Sequence, residues 1–211
     1  DAVPEAFQGF ASDFGTLDRI IINAGIGKGA PIGTGKYSSN RQTAMTNFVA
    51  ALCQAEAAME ILRAQKRGHL VFISSISGKV AAPGSSIYSA TKFGLRGFAL
   101  GLREDLHGTG VGVTTIFPGF IRDAGMFHES RTKLPPFVGT KTPQDVAGAV
   151  VRAIERDRAE ISPGAAVFGS VPAGESSSGA PAQPTGRARG PVNPARPALR
   201  RRWRAAFAAV A

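Results

Sequence analysis

Cysteine is almost missing from these 211 residues, with Cys53 its sole instance, and no intrachain disulfide can form. The three histidines, His69, His107 and His128, have no paired spacing. They read as surface or loop residues, and no metal site is expected. No apolar run approaches the ~20 residues of a membrane span. No charged-then-apolar leader opens the chain, which starts at Asp1 rather than Met. A cytoplasmic protein is expected, with its true start upstream. Acids are scarce too, 15 against 25 Lys and Arg, for a net charge of +10. Hydrophobic residues are not scarce. At 43% they suffice for a core and exclude a wholly disordered chain.

The charge is uneven. Residues 1–169 carry +4, whereas residues 170–211 carry seven Arg, one Glu and a charge of +6. Composition changes at the same place. Six prolines fall at 172, 181, 184, 191, 194 and 197 among Ser, Gly, Ala and Arg. Such spacing excludes long helices and central strands, so 170–211 is read as a disordered basic tail. Residues 1–169 read as one folded unit.

That unit alternates helix and strand. Val3, Phe7, Phe10 and Phe14 form one helix face, ended by Gly15. Ile20–Ile22 is a buried strand. Residues 41–66 read as one long helix, with Ala44, Phe48, Leu52, Ala55, Met59 and Leu62 on one side. Leu70–Ile73 is the next strand, 86–107 a helix, and Val111–Phe117 a third strand. Thr142-Pro143 fits an N-cap and first-turn pair, opening a helix with Val146, Val150, Ala153 and Ile154 inward. Glu160–Ser162 fits a short last strand. Alternation of this kind predicts an α/β fold with a parallel sheet, and ligands beyond the carboxyl ends of the strands.

Chemistry-bearing residues sit at those ends. Asn23-Ala24-Gly25 follows the first strand, Ser74-Ser75 the second and Pro118-Gly119 the third. Tyr88 and Lys92, four apart on a helix, share a face. A free tyrosine, with a pKa of about 10, exchanges protons poorly at neutral pH. A nearby ammonium favours the phenolate, so the pair is a candidate acid–base unit. Ser74 reads as a strand-end hydroxyl bonded to backbone.

In order, Asn-Ala-Gly, Asn47, Ser75, Tyr-Ser-Ala-Thr-Lys (88–92) and Pro118-Gly119 resemble the short-chain dehydrogenase/reductase superfamily of the classical type, over about residues 3 to 165. The resemblance implies a Rossmann-like, doubly wound parallel sheet and an NAD- or NADP-dependent oxidoreductase. Hydride would pass between a nicotinamide and a carbonyl or alcohol. By the same likeness Tyr88 would be the general acid or base, and Lys92 would lower its pKa and hold the nicotinamide ribose. Ser75 would bond the substrate oxygen, and Asn47 would hold a proton-relaying water. Asn23, Ala24, Gly25, Tyr88, Lys92, Pro118, Gly119 and Ile121 would contact the cofactor. Asp123 stands where many relatives have Thr, bringing a charge and no hydroxyl donor. Residues 120–141, with Met126, Phe127, Leu134, Pro135, Pro136, Phe137 and Val138, occupy the place of a substrate lid. Their apolar character points to an apolar substrate. Helices 41–66 and 86–107 would pack into homo-oligomers.

The family's opening strand, Gly-rich turn and helix have no counterpart here; Gly25-Ile26-Gly27-Lys28-Gly29 belongs to the Asn-Ala-Gly loop. The chain therefore reads as an N-terminally truncated fragment, inactive by itself, with its first strand left as a sheet edge. The tail resembles no family segment and fits a frame slip. The competing expectation is a non-catalytic protein using that tail on an anionic membrane or nucleic acid. Leu199, Trp203, Phe207 and Val210 would form an apolar stripe flanked by Arg200, Arg201, Arg202 and Arg204.

Overall fold

A computed structural model describes residues 2–130, 133–134 and 138–163. The tail from 170 onward, with its Leu199–Val210 stripe, and lid residues Pro135, Pro136 and Phe137 lie outside the described residues.

Helix α1 (Ala2–Phe14) leads into β1 (Arg19–Ile22). There follow α2 (Tyr37–Ala44), a π turn (Met45–Val49), α3 (Ala50–Gln65) and β2 (Gly68–Ile73). A 3₁₀ turn (Ile76–Gly78) precedes α4 (Ser86–Asp105) and β3 (Val111–Ile116). Then come β4 (Phe120–Ile121), α5 (Gly125–Ser130), β5 (Thr140–Lys141), α6 (Pro143–Glu155) and β6 (Glu160–Ile161). The main sheet runs β1-β2-β3-β6, every pairing parallel. Among the described residues β1 pairs on one side only.

β-branched runs form the strands because both faces are covered. On one face Ile22, Leu70, Phe72 and Val113 pack against Ala51, Ala55, Ala58 and Leu62 of α3 and Leu95 and Ala99 of α4. On the other, Val71 and Ile116 meet Val150 and Ala153 of α6. Helix α6 starts as its sequence dictates. Thr142 Oγ1 accepts from Asp145 N (3.1 Å), Asp145 returns a bond to Thr142 N (2.9 Å), and Pro143 takes the first turn. Among the described residues, no helix is long and apolar enough to cross a membrane.

Residues 120–141 include β4, α5 and β5. Two expectations need correction. The helix expected over 41–66 begins at Tyr37 and is broken by the π turn. Of its expected stripe Ala55, Met59 and Leu62 are buried, joined by Ala51 and Ala58, while Ala44, Phe48 and Leu52 stay half-exposed.

The second concerns His69, which is buried in β2. Thr114 Oγ1 gives its one proton to Arg158 O (2.6 Å), so His69 Nε2 donates to Thr114 (2.8 Å). Burial, opposed by the Asp157 charge, lowers the His69 pKa from 6.5 to about 4. An unfolded chain therefore binds this proton first as the pH drops. The contribution is complete above 6.5 and is lost as the pH falls to about 4. Denaturant midpoints should fall between pH 7 and pH 5, and the fall should flatten in His69→Gln. An equally steep fall in that variant would assign the acid sensitivity to other groups.

Candidate active site

The carboxyl ends of β1, β2 and β3 open into a cleft of about 1060 Å³. Strand β2 ends at Ile73, and Ser75 then caps the 3₁₀ turn, its Oγ accepting from Ser77 N (3.1 Å). The Ser75 side chain also stands near enough to the Tyr88 phenol to lower its pKa. Tyr88 and Lys92 stand one turn apart on α4, the Lys92 Nζ 5.7 Å from the Tyr88 ring centre. Lys92 is only 3% exposed and donates to Ile73 O (3.0 Å).

Burial governs both pKa values. It lowers Lys92 to about 8 and raises Tyr88 above its ordinary value, while Ser75 pulls Tyr88 down. At neutral pH Lys92 is still mainly cationic and Tyr88 is protonated.

Asn47 is fully buried, at the π turn behind the cleft. Its Oδ1 accepts from Ile26 N (2.7 Å), and its Nδ2 donates to Ile26 O (2.9 Å) and Thr91 Oγ1 (3.4 Å). Seven residues earlier, buried Asn40 accepts from Ala30 N (2.7 Å). Two asparagines of one helical stretch thus hold the Gly25–Ala30 wall. Sequence reading missed Asn40, whose role depends on a partner ten residues away in irregular structure.

Asn23, Ala24, Gly25, Ser75, Tyr88, Lys92, Pro118, Gly119 and Ile121 all line the cleft, and Asn47 supports it from behind. Gly25 runs close to both side chains: a Cβ there would touch Asn47 Oδ1 and Lys92 Nζ at 3.4 Å. Around Gly119 a Cβ would meet nothing within 4 Å. Lys92 has two N–H groups beyond the one given to Ile73. A roomy cleft with exposed backbone and spare cationic donors fits a dinucleotide with ribose hydroxyls. Ile87, Phe120, Met126, Phe127 and Val146 supply apolar lining. Asp123 is exposed, in a left-handed conformation (φ 76°), and paired with Arg122 at 3.6 Å.

Sequence reading also missed Gly78. A Cβ there would lie 2.5 Å from Ser74 Oγ and 2.7 Å from Lys92 O. Ser74 Oγ itself donates to Lys92 O (3.0 Å). These contacts press the Ser75 turn onto the helix that carries Tyr88 and Lys92.

Residues 1–135 match the family model described as short chain dehydrogenase. An uncharacterised oxidoreductase of Mycobacterium tuberculosis is 38% identical over 158 residues, 74% of this chain and 60% of that protein. The ketoacyl reductase HetN of Nostoc is 32% identical over 147 residues, 70% of this chain and 51% of that protein. The chain thus spans only part of the length of the curated relatives it matches. Among solved structures, ElxO with NADP bound superposes with a TM-score of 0.66 at 25% identity, covering 76% of this chain and 71% of that one.

Proposed function

The chain belongs to the short-chain dehydrogenase family, and from that premise we propose that it forms the catalytic part of an NAD- or NADP-dependent oxidoreductase acting on an apolar carbonyl or alcohol. The observation that carries the reading is the convergence of Ser75, Tyr88 and Lys92 on one cleft. Residues 1–169 are the proposed catalytic segment.

The nicotinamide, when bound, supplies the hydride in reduction and accepts it in oxidation. Asn23, Ala24, Gly25, Pro118, Gly119 and Ile121 would hold the dinucleotide, and the spare N–H groups of Lys92 its ribose. In reduction negative charge would grow on the carbonyl oxygen as the C=O π pair moves onto it. The Ser75 hydroxyl donates to that oxygen and steadies the growing charge. Tyr88 transfers its phenolic proton to the same atom and completes the alcohol. Oxidation reverses these movements, with the phenolate as base. Protonated Tyr88 beside cationic Lys92 is the state that reduction needs. Because both amide protons of Asn47 are committed, a relay water there would bond its backbone or the remaining Oδ1 lone pair.

The apolar lining around Met126 and Phe127 favours an apolar substrate. Phe93 and Leu100 are exposed on α4 beside Gly97 and Gly101, where a Cβ would meet nothing within 4 Å. This face favours a homo-oligomer. A cytoplasmic site of action agrees with a chain that builds no disulfide.

One preparation tests the proposal. The full-length gene product should oxidise NADH or NADPH in the presence of apolar ketones, and should sediment as a dimer or larger. No turnover of either cofactor across a ketone and alcohol panel would overturn it.

A further inference from the structure

Glu160, in the last strand, carries the only carboxylate reaching two elements of the site among the described ion pairs. Its Oε1 accepts from Arg96 Nε (2.6 Å), and its Oε2 from Arg96 Nη2 (3.2 Å) and Lys79 Nζ (3.1 Å). Arg96 lies one turn beyond Lys92 on α4. Lys79 closes the 3₁₀ turn that begins after Ser75. Both cations lie over the ring of fully buried Phe117, Lys79 at 4.3 Å and Arg96 at 5.8 Å from its centre. Phe117 immediately precedes Pro118, whose carbonyl accepts from Ile76 N (2.8 Å).

A forked, charge-assisted bond fixes direction as well as distance. The Glu160 carboxyl is 19% exposed, and its partners hold its pKa low against the effect of burial. The carboxylate therefore remains charged and joined to both cations at neutral pH. Gly78 and Ser74 press the turn against α4 near Lys92, and Glu160 ties the same two elements together further along.

We propose that Glu160 is a positioning residue for the active site: through Lys79 and Arg96 it holds the Ser75 turn against helix α4 and so keeps the Ser75 side chain beside Tyr88. This role rests on the Ser75–Tyr88 pairing put forward above, but its test needs neither turnover nor cofactor.

Only two tyrosines are present, and Tyr37 is 77% exposed. In the full 211-residue chain, Tyr37→Phe leaves Tyr88 as a single probe. Its ring ¹³Cζ resonance would be recorded at neutral pH and through the alkaline titration. Ser75→Ala should move the resonance and raise the midpoint by about half a pH unit, the size of one modest hydrogen bond. Glu160→Ala should do the same, and the double variant should go no further than either single one. Electrostatics alone predicts the opposite sign, since unbalanced Lys79 and Arg96 would lower the midpoint.

Lys79→Met serves if Glu160→Ala fails to fold. It cuts only the tie to the Ser75 turn, and it too should add nothing to Ser75→Ala. A purely structural Glu160 would lower the melting temperature and leave the Tyr88 signal in its original place. An unmoved signal, a lowered midpoint, or effects that add to Ser75→Ala would overturn the proposal. A Ser75→Ala variant that leaves Tyr88 unmoved would overturn the pairing and this role with it.

Discussion

Tyr88→Phe is expected to lower the kcat of the full-length enzyme by about a thousandfold, within the usual range for loss of a general acid. Phenylalanine keeps the ring beside the Lys92 ammonium, 5.7 Å from its centre in the native protein, and removes only the hydroxyl. Ser75 can still donate to the substrate oxygen, but its proton is far less acidic than a phenol and would not be surrendered. Cofactor affinity should fall far less than kcat, because Lys92 and the cleft backbone keep their proposed contacts when the Tyr88 hydroxyl is lost. Steady-state kinetics beside a cofactor titration separate the two quantities. A kcat within tenfold of wild type would remove Tyr88 from proton transfer.

Gly78→Ala should lower the unfolding free energy by about 3 kcal/mol, the upper part of the range for an overpacked site. A new Cβ would face the Lys92 carbonyl at 2.7 Å, and a helix backbone cannot step aside as a flexible side chain can. It would also strike Ser74 Oγ at 2.5 Å and break the bond from that hydroxyl to Lys92 O. The turn must lift from α4, carrying Ser75 away from Tyr88. Gly9→Ala is the matched control. It lies in α1 with nothing within 4 Å, and it should gain up to about 1 kcal/mol from helix propensity. Urea denaturation of both variants tests the pair, and equal midpoints would show that the close approach at Gly78 costs nothing.

Strands were readable from sequence wherever burial on two faces demanded β-branched runs, as at Ile20–Ile22 and Leu70–Ile73. Ser75, Tyr88 and Lys92 stood out through the family resemblance, since helical spacing alone leaves Tyr88 and Lys92 looking like a surface pair. The π turn was not. Met45–Val49 has no special composition that would mark a break in the helix. Gly78 resembles any turn glycine until a helix backbone is placed against it. The Glu160 tie spans 64 residues to Arg96, and no local pattern links residues so distant. His69 gave no sign of burial, because its compensating partner, Thr114, lies on the neighbouring strand.

The Gly25–Ala30 wall has no regular structure, yet its two ends hang from Asn40 and Asn47. Mechanically it is a strap slung between two points of one beam. Loosening it means stripping short amide bonds from two buried side chains, which sets a stiff resistance to widening on that side. Across the cleft Met126 of the short helix α5 comes close to the strap at Gly27, its Sδ 3.2 Å from where a Cβ would stand. The asparagine-held side therefore acts as a fixed template for whatever occupies the cleft beside it.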